Sequence, residues 1–222
     1  MSAPSLSERF RAGRDVRLRE LIAKTPRTGE RLRILDLGGR ADYWRRVGFD
    51  FLREQKVLID ILNLSVEEQH VIEGGEDLFR YVVGNACALE HGDDSYDLAH
   101  ANSVIEHVGF AWDMERFAGE VRRVAPAYFI QTPNYWFPVD PHFWKLPLIH
   151  WLPRPLRARL MLMLPLATMG RAPDLAAAYR FADSSLMLGK AQMRYLFPDA
   201  QLVAERVAGL LAKSYTAIRL RR

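Results

Sequence analysis

Cysteine is nearly missing from this sequence: Cys87 is the only one in 222 residues. That excludes an intrachain disulfide and a cysteine-built zinc cage. A chain without disulfides suits a reducing compartment, so a cytoplasmic location is expected. Long apolar runs are missing as well. None reaches the roughly 18 residues needed to cross a bilayer, and the opening stretch MSAPSLSERFRAGRDVRLRELI has no apolar core of the secretory-leader type. Charge of one sign is in small excess only, at +4. Arginines gather near the two ends and in LPRPLRARL without any basic-aromatic repeat, which predicts a solvated basic surface and no nucleic-acid partner. Glycine is short where a dinucleotide would need it. From Gly38 the chain reads G-G-R-A-D-Y, so the G-x-G-x-x-G fingerprint fails. The main argument for a nicotinamide-dependent oxidoreductase fails with it.

What is present is a substantial core. Hydrophobic residues make up 49% of the chain, enough for one large domain and too few residues for two ordinary ones. Five short apolar runs end in turn signals and predict buried strands: RLRILDLGG, KVLIDILNL, RYVVGNA, SYDLAHAN and AYFIQTPN. Helix-length segments separate them. The clearest is DMERFAGEVRRVA, in which Met114, Phe117, Val121 and Val124 share a face and Asp113 is the expected N-cap. Residues 5–24 predict an arginine-rich amphipathic helix packed on the domain. Alternating strands and helices imply a doubly wound, mostly parallel α/β sheet. After Asn134 the texture shifts to proline, tryptophan, arginine and leucine, predicting a partly helical lid. The expected segments are an N-terminal helix (1–30), a core (31–134), a lid (135–182) and a C-terminal helix with a two-stranded hairpin (183–222).

In such sheets ligands bind beyond the carboxyl ends of the strands. Polar and glycine residues gather at those ends: Asp36, Gly38 and Gly39, then Asn63, Asn85 with Ala86, Asn102, and Pro133 with Asn134. Each alone reads equally as a turn residue. Their recurrence at successive strand ends favours a site.

Taken in order, these segments resemble the class I S-adenosylmethionine-dependent methyltransferases, particularly the small-molecule branch. ILDLGG resembles the family's first motif, D-x-G-x-G-x-G. VVGNACALEHGDDSYDLAHANSVIEHV resembles its GDA…LPF.D.SFD.V…S.VIEHV stretch, and FAGEVRRVAPAYFIQTPN resembles the helix leading into the fifth strand. The resemblance implies a Rossmann-like, seven-stranded sheet with an antiparallel C-terminal hairpin, and S-adenosyl-L-methionine as cofactor. It places Asp36, Gly38 and Gly39 at the cofactor's amino-acid end, with Asn102 and Ser103 alongside. Asp60 or Asn63 would hold the ribose, Asn63 being favoured. Adenine would lie between Leu64 and Leu89 and meet the Asn85 side chain and the Ala86 N–H. An aromatic face from Tyr43 or Trp44 would suit the sulfonium. Gly38 is expected to make the close approach, with Arg40 and Asp42 turned outward or on the cofactor's termini. Because Arg40 and Asp42 replace family glycines and Asn63 stands where the family has an acidic residue, a catalytically inactive binding or scaffold protein stays open as the alternative.

For chemistry, Ser103 and Glu106 fit an S-x-x-E capping box, and His107 is either a packing residue or catalytic. In related quinone methyltransferases E-x-x-E-H binds a divalent metal; here Ser103 replaces the first glutamate, so no metal site is expected. His142, in VDPHFW, is either a general base or, with Asp140, a residue that orders the loop. The expected acceptor is small or lipid-like and is methylated at oxygen. The lid's interleaved Trp, Arg and Leu either pack onto the sheet or touch a membrane surface.

Overall fold

A computed structural model describes residues 6–68, 72–143, 145–166 and 170–220. Seven strands form one sheet: β1 (Leu32–Leu37), β2 (Val57–Asn63), β3 (Phe79–Val83), β4 (Leu98–Asn102), β5 (Ala127–Pro133), β6 (Gln201–Val207) and β7 (Leu211–Arg219). The spatial order is β3-β2-β1-β4-β5-β7-β6. The first five strands pair in parallel, and β7 runs antiparallel to both β5 and β6. The order reverses between β1 and β4, which opens a crevice at their carboxyl ends.

The helices are α1 (Leu6–Lys24), α2 (Ala41–Val47), α3 (Phe49–Glu54), α4 (Ala111–Val124), α5 (Arg154–Met163), α6 (Leu175–Ala182) and α7 (Lys190–Leu196). Strands buried on both faces read as unbroken apolar runs, which is why β1, β2 and β5 stand out in the sequence. Successive side chains leave a strand on opposite faces. Ile34 and Leu32 accordingly join a core with Leu18, Ile22 and Trp44 under α1 and α2. Leu35 and Leu37 join another with Phe117, Val121 and Met193 under α4 and α7. The second half of α1 buries Leu18, Leu21 and Ile22 against the sheet.

Helix α4 starts earlier than expected. Its N-cap is Phe110, and Asp113 sits at the third helical position, where its carboxylate accepts from the Phe110 N–H at 3.0 Å. Asp113 thus fastens the first turn from inside it. The α7 helix and the β6–β7 hairpin follow the expected order.

The lid segment builds a small core of its own. Phe143, Ile149, Ala158, Met161, Ala178 and Ala182 are buried together where α5 packs on α6. Asp174 caps α6 by accepting from the Ala177 N–H at 2.7 Å. The chain returns to the sheet through a parallel bridge between Asn134 and Leu188. Among the described residues no helix is long and apolar enough to cross a membrane.

Candidate functional site

The turn after β1 is built around a buried carboxylate. Asp36 is 1% exposed. Its Oδ2 accepts from Trp44 Nε1 at 2.7 Å, and its Oδ1 from His100 Nδ1 at 2.6 Å. A Cβ on Gly39 would stand 1.8 Å from Asp36 Oδ2, so only glycine lets the backbone cross over that group. Gly38 has φ +62, a left-handed conformation suited to glycine. A Cβ there would meet Val104 Cγ1 at 2.9 Å. The closest approach at this turn is therefore made by Gly39 to Asp36, beneath the position assigned to the ligand. Gly38 N–H donates to the Leu62 carbonyl at 2.7 Å, and Asn63 Nδ2 to the Gly39 carbonyl at 3.2 Å. Trp44 is fully buried and can present no face to a sulfonium. Tyr43 remains for that role and packs on His100 at 4.9 Å between ring centroids. Arg40 and Asp42 pair with each other at 3.2 Å, each more than half exposed.

Two cavities flank Gly38. One, of about 420 Å³, is lined by Asn63, Leu64, Asn85, Ala86 and Ser103, together with Cys87, His107 and Val108. The other, of about 320 Å³, is lined by Asp36, Gly39, Asn102, Tyr43 and His100. The expected cofactor residues are thus gathered around one turn, with two exceptions, Asp60 and Leu89. Asp60 lines neither cavity: Arg80 grips it at 2.6 and 2.7 Å, and Tyr96 Oη donates to it at 2.8 Å. The reason is register. Asp60 stands mid-strand beside Arg80 on β3, whereas Asn63 ends β2 at the crevice. Leu89 is also absent from the cavity wall and belongs to the core beneath α4. Asn85 is exposed, and its Oδ1 already accepts from the Cys87 N–H at 2.9 Å. Asn102 Oδ1 accepts from Arg14 Nη1 at 2.7 Å, which brings α1 to the second cavity.

The expected capping box does not form. Ser103 has φ +58 and donates through Oγ to Gln131 Oε1 at 3.0 Å. Glu106 lies in a single 3-10 turn, Ile105–His107, and points inward with 1% exposure. Thr132 Oγ1 donates to its Oε2 at 2.9 Å, and its Oε1 is buried without a partner. Burial pushes this carboxyl up to about 7. His107 Nδ1 donates to the Ser184 carbonyl at 2.7 Å, and burial holds its pKa below the ordinary value. His107 and His142 meet edge to face at 4.7 Å. His142 Nδ1 donates in turn to Asp140 Oδ1 at 2.7 Å. Glu106, His107 and His142 thus each bring a possible ligand atom, all within 4.8 Å of one another. Ser103, which stands in place of the first glutamate of E-x-x-E-H, is not part of this group.

A larger cavity of about 990 Å³ opens beyond this cluster. Trp136, Trp151 and Tyr135 give it aromatic walls, and Arg157, Lys190 and Arg194 give it positive charge. Three polar atoms on its lining residues, His150 Nδ1, Arg157 Nε and Ser185 Oγ, are buried without partners. Sequence reasoning missed His100, Arg157 and Ser185; no local pattern marks them, since each acquires its neighbours only through the fold.

The family model described as a methyltransferase domain matches residues 36–126. No curated protein is a significant sequence match. Among solved structures, a Galdieria sulphuraria protein put forward as a sarcosine dimethylglycine methyltransferase is similar at TM-score 0.53 and 18% identity. That similarity covers 90% of this chain and 63% of that one. The CMeT domain of citrinin polyketide synthase gives TM-score 0.60 at 11% identity, covering 96% and 52%. The PH0226 protein of Pyrococcus horikoshii OT3 gives 0.53 at 17%, covering 98% and 93%. At such identities the solved structures speak for the fold. The methyltransferase-domain match over residues 36–126, under half of the chain, and the sheet order agree with a class I methyltransferase fold, and such a domain implies S-adenosyl-L-methionine as methyl donor.

Proposed function

We propose that the protein transfers the methyl group of S-adenosyl-L-methionine to an oxygen of a small or lipid-like acceptor held in the 990 Å³ cavity. The observation that carries this reading is the layout of that cavity against the cofactor turn. His107 lines the smaller cavity beside Gly38. Asp140, which holds His142, lines the larger one. Donor and acceptor would therefore meet at the Glu106-His107-His142 cluster. Aromatic walls suit an apolar body, and Arg157 with its unpartnered Nε suits an anionic group on the same molecule. Transfer from a sulfonium is an in-line displacement, so its first demand is alignment of two bound molecules. His142, oriented by Asp140, is the group placed to accept a hydroxyl proton. Arg40 and Asp42, the residues that favoured a non-catalytic role, pair with each other and line the 320 Å³ cavity beside Gly39.

Binding is tested first, by thermal shift with S-adenosylmethionine, S-adenosylhomocysteine and NAD. A ligand at a hundred times its dissociation constant adds about 2.7 kcal/mol, a visible shift. No response to either S-adenosyl compound at millimolar concentration removes the proposal. Labelled methyl transfer to hydroxylated carboxylates and phosphates then tests the acceptor; transfer only to amines would remove the oxygen assignment.

A further inference from the structure

We propose that Glu106, His107 and His142 bind one divalent transition-metal ion in the wall between the cofactor and acceptor cavities. The neighbours of the cluster fix which atoms are offered. Carbonyl and carboxylate oxygens accept and do not donate, so the Nδ1 of His107, facing Ser184 O, carries the ring proton. The Nδ1 of His142, facing Asp140 Oδ1, carries its proton for the same reason. Each ring then keeps a lone pair on Nε2. A metal-ligating imidazole is set in this way, with its other nitrogen donating to a carbonyl or carboxylate that fixes tautomer and tilt. The third donor is Glu106 Oε1, on a side chain 1% exposed, with its sister oxygen already taken by Thr132. One ligand atom from each of the three side chains lies within 4.8 Å of the others. Glu106 Oε1 is buried without a partner, and a cation bound there would supply the missing contact.

Two imidazoles and one carboxylate select zinc, iron or nickel over magnesium and calcium, whose sites are built from oxygen. Three protein ligands leave a coordination position open, the pattern of catalytic rather than structural metal sites. The use of that position rests on the proposed function: with His142 Nε2 engaged as a ligand, the cation takes over the role given to that ring by polarising an acceptor oxygen and easing loss of its proton. Metal binding itself does not depend on that reading.

The test uses the full chain without a histidine tag, stripped with chelator, and titrated with Co²⁺ and then Zn²⁺ by calorimetry and visible absorption. About one Co²⁺ per chain should bind, with the intense visible bands of a low-coordinate nitrogen-oxygen site, and Zn²⁺ should displace it. His107→Gln and His142→Gln should each abolish these bands. Asp140→Asn, which only positions His142, should weaken binding about 10–100-fold. His91→Gln, remote from the cluster, should change nothing. Absence of saturable Co²⁺ or Zn²⁺ binding at millimolar metal overturns the proposal, as does binding unaltered by His142→Gln. S-adenosylhomocysteine binding is followed in parallel by thermal shift. If it persists while metal binding fails, only the metal site is lost; if it fails while metal binds, the methyl-transfer reading is lost instead.

Discussion

Replacing Gly39 by alanine adds a single carbon to a place with no room for it. The new Cβ would lie 1.8 Å from Asp36 Oδ2, 2.0 Å from its Cγ and 2.5 Å from its Oδ1. The carboxylate cannot swing aside freely, because Trp44 and His100 hold one oxygen each and all three side chains are essentially buried. Overpacking of this kind costs about 1–3 kcal/mol. Breaking one hydrogen bond to a buried charged group adds about 1.5–3 kcal/mol. Together the loss should be about 3–5 kcal/mol, which in a chain of this size lowers Tm by roughly 10 °C. Urea denaturation and thermal melts read the stability, and calorimetry with S-adenosylhomocysteine reads the turn, where affinity should fall at least tenfold. Gly38→Ala is the control for backbone strain: its φ of +62 costs an alanine about 1 kcal/mol, and Val104 can rotate. A Gly39→Ala protein within about 1 kcal/mol of the parent would refute the account, since that is the ordinary effect of a point substitution.

Three further outcomes are expected. Asp60→Ala should destabilise by about 2–3 kcal/mol, discounted for the half-exposed Arg80, by stripping Tyr96 and Arg80 of their acceptor. It should leave S-adenosylhomocysteine affinity nearly unchanged; a selective loss of affinity would return Asp60 to the ribose. Burial pushes the Cys87 thiol up, so at pH 8 less of it is thiolate and alkylation should run slower than for a free cysteine. Because Cys87 lines the cofactor cavity, S-adenosylhomocysteine should slow alkylation further, and an unaltered rate would place the ligand elsewhere. The lid has a core of its own around Phe143, Ile149 and Met161, and its exposed Trp136 and Trp151 line the large cavity. The chain should therefore stay at the bottom of a flotation gradient with anionic vesicles; co-migration would assign those tryptophans to a membrane.

How much of this was readable in advance depended on the range of the contacts. β1, β2 and β5 are buried on both faces, and α4 repeats its apolar residues every turn, so both announced themselves locally. Asp36 did not. That it ends a strand is local, whereas its burial is decided by Trp44 and His100, the latter 64 residues away. Glu106 misled for a related reason: S-x-x-E is a local signal, but Ser103 turns left-handed and Thr132 draws the carboxylate inward. The pairing of His142 with His107 needed the lid to fold back beside β4, which no spacing encodes. Asp60 is kept from both cavities by register, which sets it mid-strand beside Arg80.

The position of β7 has a consequence for synthesis. This strand lies between β5 and β6 and bonds to both. Until residues 211–219 leave the ribosome, β5, buried along its whole length in the finished fold, presents an open edge of unpaired amides and carbonyls. Such an edge is a template for pairing with another chain. A nascent or truncated chain ending near residue 210 would carry the first six strands and still be prone to clump, so the last hairpin acts as the sheet's safeguard during production.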